Sequence, residues 1–208
     1  MRATLETGFV LILGATLVAC GGGSSPSGPS ASLSAVGRLA IAQQIVTTAL
    51  GGVVAGSATK KADSVPLGNL TCQKTCTGAS CAVTCPIDER FDCPAGGSAT
   101  DKGQIAGTLD GELSGEATLA AAQSFSGCKP NAGLTIDGAP ATTATGNARF
   151  AKGQLADEQT VRIAGAVSYV STTEGSGQCD VDLRVTFNRA LKGSASGTAC
   201  GQSVDVGF

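Results

Sequence analysis

Apolar and polar residues alternate along the last third of the chain, as they do in strands that bury one face. Turn residues separate the alternating segments. The clearest segments are 161–169, 179–187 and 200–208, and shorter ones are 133–139 and 141–150. Residues 87–208 therefore predict an antiparallel meander of about eight strands, either open or closed into a barrel.

A second pattern, with apolar residues three and four positions apart, precedes the strands. A helix over about 33–50, within the segment 32–52, would gather them on one stripe that packs on the sheet. Gly51 and Gly52 form a stop signal. A helix lying on a membrane is less favoured, because Arg38 is the only cation of the segment. The stripe comprises Leu33, Val36, Ala40, Gln43, Val46 and Leu50, widened by Leu39, Ala42 and Ile45.

An apolar run, Phe9–Ala19, lies near the N-terminus and is shorter than the roughly 20 residues that span a bilayer. Its length is that of a signal-peptide core. The tetrapeptide Leu17-Val18-Ala19-Cys20 resembles the lipobox of bacterial lipoproteins, whose cysteine thiol receives a diacylglycerol before the preceding peptide bond is cut. The resemblance implies a signal peptide at 1–19 and a lipid on Cys20. An ordinary secretory signal with an unrelated cysteine is the alternative.

The residues after Cys20 fit an anchored protein. Residues 20–31 form a flexible polar tether rich in glycine and serine. Two or three acyl chains would hold it firmly, since each buried CH₂ contributes about 0.8 kcal/mol. Gly21, where family members of the inner membrane carry Asp, implies the outer membrane. We expect a protein of the cell envelope that is bound to the membrane through its lipid.

The other eight of the nine cysteines are an even number in an exported chain, which favours disulfides. Four of them lie symmetrically about residues 77–80, within a Cys-rich segment, 71–86, that follows a linker at 53–70. An antiparallel hairpin turning there pairs Cys76 with Cys81 and Cys72 with Cys85. A helical hairpin would do the same. A zinc or iron–sulfur site with four thiolates is the less favoured alternative.

Cys93 and Cys128 are expected to pair across a hairpin centred on the turn signal Asp110-Gly111. The apolar faces of its two arms, however, need Leu109 opposite Leu113, which is one residue away from the register of the cysteines. A β-bulge in the first arm would reconcile the two registers. The candidate sites are Gly96, Gly97, Gly103 and Gly107.

The last two cysteines, Cys179 and Cys200, face each other if the chain turns near Arg189-Ala190. Both apolar faces then lie on one side, with the final strand running through Val204 and Val206 to the end of the chain. Closing the 93–128 and 179–200 loops would contribute roughly 3 to 4 kcal/mol each under the chain-entropy model. A glycine-rich domain with few large side chains needs such support.

The β domain also resembles a group of uncharacterised Gly/Thr-rich β-sheet lipoproteins of Gram-negative bacteria. Two motifs carry the resemblance: Cys93-Pro94-Ala95-Gly96-Gly97 and Cys179-Asp180-Val181-Asp182-Leu183. Both motifs are structural, and the resemblance implies a fold but no known activity.

Composition excludes several classes of function. The chain has no histidine, which rules out Ser-His-Asp and Cys-His catalysis and histidine metal ligands. A net charge of −2, with six Phe and one Tyr, gives no basis for nucleic-acid binding. The segment 51–57 lacks the lysine of a phosphate loop. Ser57 to Lys60 match the Ser-x-x-Lys motif of penicillin-binding enzymes, but the partner motifs are missing. No cofactor is expected.

Three functions remain. The favoured one is non-catalytic, with an unidentified protein or envelope component bound through an exposed sheet edge. The alternative is a carrier of a small apolar ligand, which needs a cavity of several hundred Å³. An enzyme is least favoured, because no nucleophile has a visible base. Its acids would be carboxylates. The clusters are Asp88, Glu89 and Asp92, and Asp180 and Asp182. The alternating pair Asp180 and Asp182 could bind calcium weakly, although it falls short of the six to eight oxygens that the ion prefers.

Overall fold

The computed structural model describes residues 33–55, 64–67, 70–156 and 158–208. This part contains one α-helix, α1 (Ala35–Ala55), and eleven strands. The strands are β1 (Ser64–Leu67), β2 (Leu70–Thr77), β3 (Ser80–Asp92), β4 (Ser98–Asp110), β5 (Gly115–Asn131), β6 (Leu134–Ala151), β7 (Gln154–Leu155), β8 (Glu158–Ser171), β9 (Gly175–Asn188), β10 (Gly193–Ala199) and β11 (Gln202–Gly207). The predicted class, mainly β with one N-terminal helix and disulfide bonds, is confirmed.

All strands belong to one antiparallel sheet in which successive strands are neighbours. The order is β1-β2-β3-β4-β5-β6-β8-β9-β10-β11, and the two-residue β7 pairs with β6. The sheet is open, with β1 and β11 as its edges. α1 contacts β2 and β3 near one edge and β10 and β11 at the other. The sheet therefore curls around the helix.

Two predicted boundaries differ from the structure. β3 runs from Ser80 to Asp92, so the Cys-rich hairpin (71–86) and the β domain (87–208) share a strand. The expected linker, 53–70, holds the end of α1 and all of β1, and its other residues except Leu70 lie outside the described part of the chain.

Small side chains make room for the helix on the inner face of the sheet. Large aromatic residues are few, and a curled sheet lined by alanine leaves a hollow that a helix can fill. The buried side chains of α1 and of the sheet form one hydrophobic core. The buried alanines of the sheet are Ala99, Ala117, Ala121, Ala141, Ala144, Ala148, Ala195 and Ala199.

The helix is covered on more sides than the predicted stripe allows. Val36 is 73% exposed and Gln43 is also exposed, so the prediction that both pack on the sheet was wrong. α1 also continues past Gly51 to Ala55. Because the sheet wraps around the helix, several faces are buried at once. The buried residues of α1 are Ile41, Ala42, Gln44, Ile45, Val46, Thr48, Ala49 and Leu50.

The start of α1 is fixed to the turn between β8 and β9. Ser34 caps the helix, since its Oγ accepts a hydrogen bond from the N–H of Gly37 at 3.2 Å. The N–H of Ser34 donates to Glu174 Oε2 at 3.0 Å. Hydrogen bonding from the Ser34 side chain, and then from this N–H, lowers the pKa of the Glu174 carboxyl. Over the described ranges, no helix is both long and apolar enough to cross a membrane.

The prediction of a two-residue turn at Asp110-Gly111 was wrong. β4 ends at Asp110, and β5 begins at Gly115. The Asp110 carboxylate accepts hydrogen bonds from the N–H groups of Glu112 (2.9 Å) and Ser114 (2.8 Å). This side chain holds a longer turn that a two-residue signal does not anticipate.

The predicted bulge in the first arm was also wrong. The register between β4 and β5 is continuous from Leu109 opposite Gly115 to Ser98 opposite Ser126. The longer turn brings the two apolar faces together without a bulge. Register shifts occur instead between β5 and β6, on the Cys128 side of Gln123.

Cys93 lies after β3, in a loop that folds back onto β5. The N–H of Ala95 donates to the carbonyl of Lys129 at 2.9 Å, and the N–H of Lys129 donates to the carbonyl of Gly96 at 2.8 Å. Gly97 has a φ of 75°, and a Cβ there would lie 1.9 Å from the carbonyl oxygen of Gly127. Only glycine fits this approach.

The alternation predicted over residues 161–169 and 179–187 is confirmed by strands β8 and β9. The expected turn near Arg189 joins β9 to β10. The expected single final strand is two strands, however, because Cys200 and Gly201 form a turn between β10 and β11. The segments 133–139 and 141–150 are instead parts of one strand, β6.

Candidate functional site

Four disulfides hold the sheet, with the pairings that the spacing predicts. The first two join β2 to β3, which makes the Cys-rich segment a β-hairpin and not a helical one. The third ties the loop after β3 to β5, and the fourth ties β9 to the turn before β11. Among the described residues, no group of three or more possible metal ligands occurs. The bonds are Cys72–Cys85, Cys76–Cys81, Cys93–Cys128 and Cys179–Cys200.

Two of the predicted acids are engaged in ion pairs on the outer face of the sheet. Asp88 lies 3.3 Å from Lys102, and both side chains are exposed. Asp182 accepts two hydrogen bonds from Arg162, each 2.8 Å long, and this guanidinium lowers the pKa of the Asp182 carboxyl. Asp92 and Asp180 are exposed as well. Exposed pairs of this kind stabilise a fold only slightly.

Glu89 differs from these acids, because it lies on the inner face of the sheet. It stands opposite Asp101 on β4, which stands opposite Gln123 on β5, which stands opposite Thr142 on β6. These four side chains form a row across adjacent strands, here called the polar row. Glu89 is half-buried, and the other three are at most 1% exposed.

Three members of the polar row, Asp101, Gln123 and Thr142, were not predicted from the sequence, although the sequence carries a signal for them. Asp101 and Ile105 both lie at odd-numbered positions, which form the apolar face of β4. Gln123 likewise lies at an odd-numbered position of β5, on the same face as Leu119 and Phe125. A polar residue at a position that the alternation assigns to the core indicates a buried polar contact.

The polar row is bonded to the backbone of α1. Gln123 donates from Nε2 to the carbonyl of Ile45 at 3.1 Å, and its Oε1 accepts a hydrogen bond from Thr142 Oγ1 at 2.5 Å. One amide therefore links the helix to β5 and β6. At the end of α1, a Cβ on Gly51 would lie 2.8 Å from the ring of Phe91, so the helix passes across the row from β5 to β3.

Asp101 is the buried acid of the row. Its Oδ1 is buried and has no hydrogen-bond partner among the described residues. Burial raises the pKa of its carboxyl from 3.8 to about 7. The side chain can therefore hold a proton near neutral pH, and it is only 1% exposed to solvent.

Three cavities are lined by described residues of the sheet and of α1. An apolar cavity of about 10 Å³, between Leu119 and Phe187, is too small for a ligand. Two grooves beside α1 are open to solvent. One, of about 290 Å³, is lined by Pro94, Pro130 and Phe208. The other, of about 140 Å³, lies at the start of the helix.

Other predicted sites fall partly or wholly outside the described residues. The lipidation site Cys20, the signal peptide and the tether lie outside them, as do Ser57 and Lys60. The first five residues of the glycine-rich segment 51–57 belong to α1. A helical backbone is not the loop that cradles a phosphate.

Comparison with known proteins leaves the chain without a match. No protein-family model, no curated protein and no solved structure matches it.

Proposed function

We propose that the protein is a lipid-anchored component of the bacterial cell envelope, in the outer membrane, with a non-catalytic structural or binding role. One observation carries the proposal: the lipobox-like tetrapeptide ending at Cys20 precedes a folded part that is held by four disulfides. Disulfides persist in oxidising compartments outside the cytoplasm. Export followed by attachment through Cys20 accounts for both features.

The placement of the acids supports a non-catalytic role. Asp88 and Asp182 are in exposed ion pairs on the outer face, and Asp101 is buried on the inner face of the sheet. General acid–base catalysis needs a titratable group within reach of a substrate. A structural or binding role does not need a titratable group of this kind.

The open sheet supports binding through an edge. β11 pairs with β10 on one side, so the backbone groups on its other side face away from the sheet. An extended segment of a partner can add to such an edge through main-chain hydrogen bonds. We propose β11 as the strand that would receive an envelope partner.

Intact mass measured on protein extracted from membranes tests the lipid anchor. We expect a mature chain that begins at Cys20 and carries acyl mass. Alkylation should add eight groups after reduction and none before it, because the other eight cysteines are paired. An unacylated chain that begins elsewhere would overturn the proposal.

A matched pair of variants assigns the anchor to one thiol. Cys20→Ser should leave a full-length precursor without acyl mass, because the chemistry depends on that sulfur. Ser24→Ala, in the tether, should be processed and acylated like the natural chain. Acylated mature protein from Cys20→Ser would contradict the lipoprotein function.

A further inference from the structure

The polar row buries one acid, Asp101, at a position that favours its neutral form over its charged form. Asp101 is 1% exposed, and its Oδ1 lacks a hydrogen-bond partner within the described residues. A carboxylate in that position would be desolvated and unpaired, which is strongly unfavourable. The neutral acid avoids this penalty.

No cation of the described residues stands opposite Asp101. Glu89 faces it from β3, and a second negative charge there would repel a carboxylate. β5 presents the neutral Gln123. Arg38, the one charged residue of α1, lies at the far end of the helix beside Glu174. The cations nearest in register are Arg90 and Lys102, which adjoin Glu89 and Asp101 along their strands and are exposed on the outer face. Lys74 stands opposite Val83, away from the polar row.

Water can reach a charged Asp101 more easily if α1 moves away than if the strands of the sheet separate. The strands on either side of Asp101 are joined by continuous antiparallel ladders, and disulfides cross-link the sheet. α1 is held by side-chain packing and by the bond from Gln123 to the carbonyl of Ile45. Moving α1 away would let water reach Asp101 without breaking a strand pairing.

We propose that Asp101 is a proton-controlled lock on α1: the neutral acid keeps the helix seated in the curled sheet, and the ionised acid loosens it. The lock is independent of the lipid anchor, because it rests on the folded part alone.

The direction of the effect follows from proton binding. The seated state holds the Asp101 proton up to about pH 7, whereas an opened state returns the carboxyl to its ordinary pKa of 3.8. Between these values the seated state binds more protons, so seating weakens as the pH rises and levels off above about 7. Opening of α1 should increase about 30-fold from about pH 5.5 to about pH 8.5.

Hydrogen exchange of the oxidised protein, followed by mass spectrometry, measures this opening. After correction for intrinsic exchange rates, peptides from α1 should lose protection by about 30-fold over this interval. Peptides from β8 and β9 should change far less, because their ladder is far from the lock in the sheet order. Protection of α1 that does not depend on pH would overturn the proposal.

Variants separate Asp101 from the other acids. Asp101→Asn, which cannot ionise, should make protection of α1 independent of pH. Asp88→Asn, on the outer face, should retain the full dependence. Loss of the dependence in Glu89→Gln, together with its persistence in Asp101→Asn, would make Glu89 the titrating group and would contradict the lock.

A direct titration keeps the test independent of whether Asp101→Asn folds. The ¹³C signal of the Asp101 carboxyl in the natural sequence should titrate with a midpoint of about 7, the pH at which the loss of α1 protection levels off. A midpoint near the ordinary value of 3.8 would overturn the proposal, even if the helix responded to pH for another reason.

Discussion

Gln123 joins two elements through one amide group. Its N–H donates to the helix at Ile45, and its carbonyl oxygen accepts from Thr142 on β6. An amide can do this because it carries both a donor and an acceptor. An aliphatic residue of similar size would fill the space but leave the Thr142 hydroxyl without its acceptor.

Removal of this side chain should destabilise the fold. Gln123→Ala is expected to lower the free energy of unfolding by about 2–4 kcal/mol, because a buried volume and two hydrogen bonds are lost together. Gln104→Ala, on the exposed face of β4, should change it by less than about 0.5 kcal/mol. Urea denaturation with the disulfides intact measures both. Equal effects of the two variants would show that the amide does not hold the helix.

At the scale of elements, the disulfides close loops of very different length. Cys93 and Cys128 are 35 residues apart in sequence, whereas Cys76 and Cys81 are 5 apart. The shorter loop also lies inside the one closed by Cys72–Cys85. A cross-link restricts the unfolded chain more when it closes a longer loop.

The two bonds should therefore differ in their contribution to stability. Replacing Cys93 and Cys128 by serine should lower the free energy of unfolding by roughly 3–4 kcal/mol. The same replacement of Cys76 and Cys81 should lower it by roughly 2 kcal/mol or less. Urea denaturation of the two double variants gives the comparison, and a larger loss from the shorter loop would refute the chain-entropy argument.

Strands could be predicted from the sequence where large apolar side chains alternate with polar ones. β8 and β9 carry branched and aromatic residues at alternate positions, which are buried, and the sequence alone indicates both strands. β10 has the sequence GSASGTA, in which Ala195 and Ala199 are the apolar residues. β10 forms because β9 and β11 pair with it on both sides. Its own sequence has no alternating pattern that would predict a strand.

The whole molecule is a curled sheet with a helix at its centre. Ile45 is fully buried, whereas Gln43, two residues earlier, remains exposed. The helix thus supplies core volume that the alanine-lined sheet lacks. Without it, the inner face of the sheet would be open to water, and loss of that apolar burial would be unfavourable.

Charges placed on opposite sides of α1 test this arrangement. Ile45→Asp should lower the free energy of unfolding by at least about 4 kcal/mol, because it buries an unpaired carboxylate and removes a core side chain. Gln43→Asp should have an effect below about 1 kcal/mol. Thermal unfolding followed by near-ultraviolet circular dichroism measures both, and similar melting temperatures would place the helix outside the core.

The sequence by itself determined the class of the fold, the pairing of eight cysteines and the buried faces of β8 and β9. Local spacing indicated these features, although Cys93 and Cys128 pair across a longer turn than the one predicted. Tertiary structure alone decided that α1 is buried on several faces and that Asp101, Gln123 and Thr142 form one row. The reason is physical: which polar groups share a row depends on register across four strands and on what the curled sheet encloses, and no single segment carries that information.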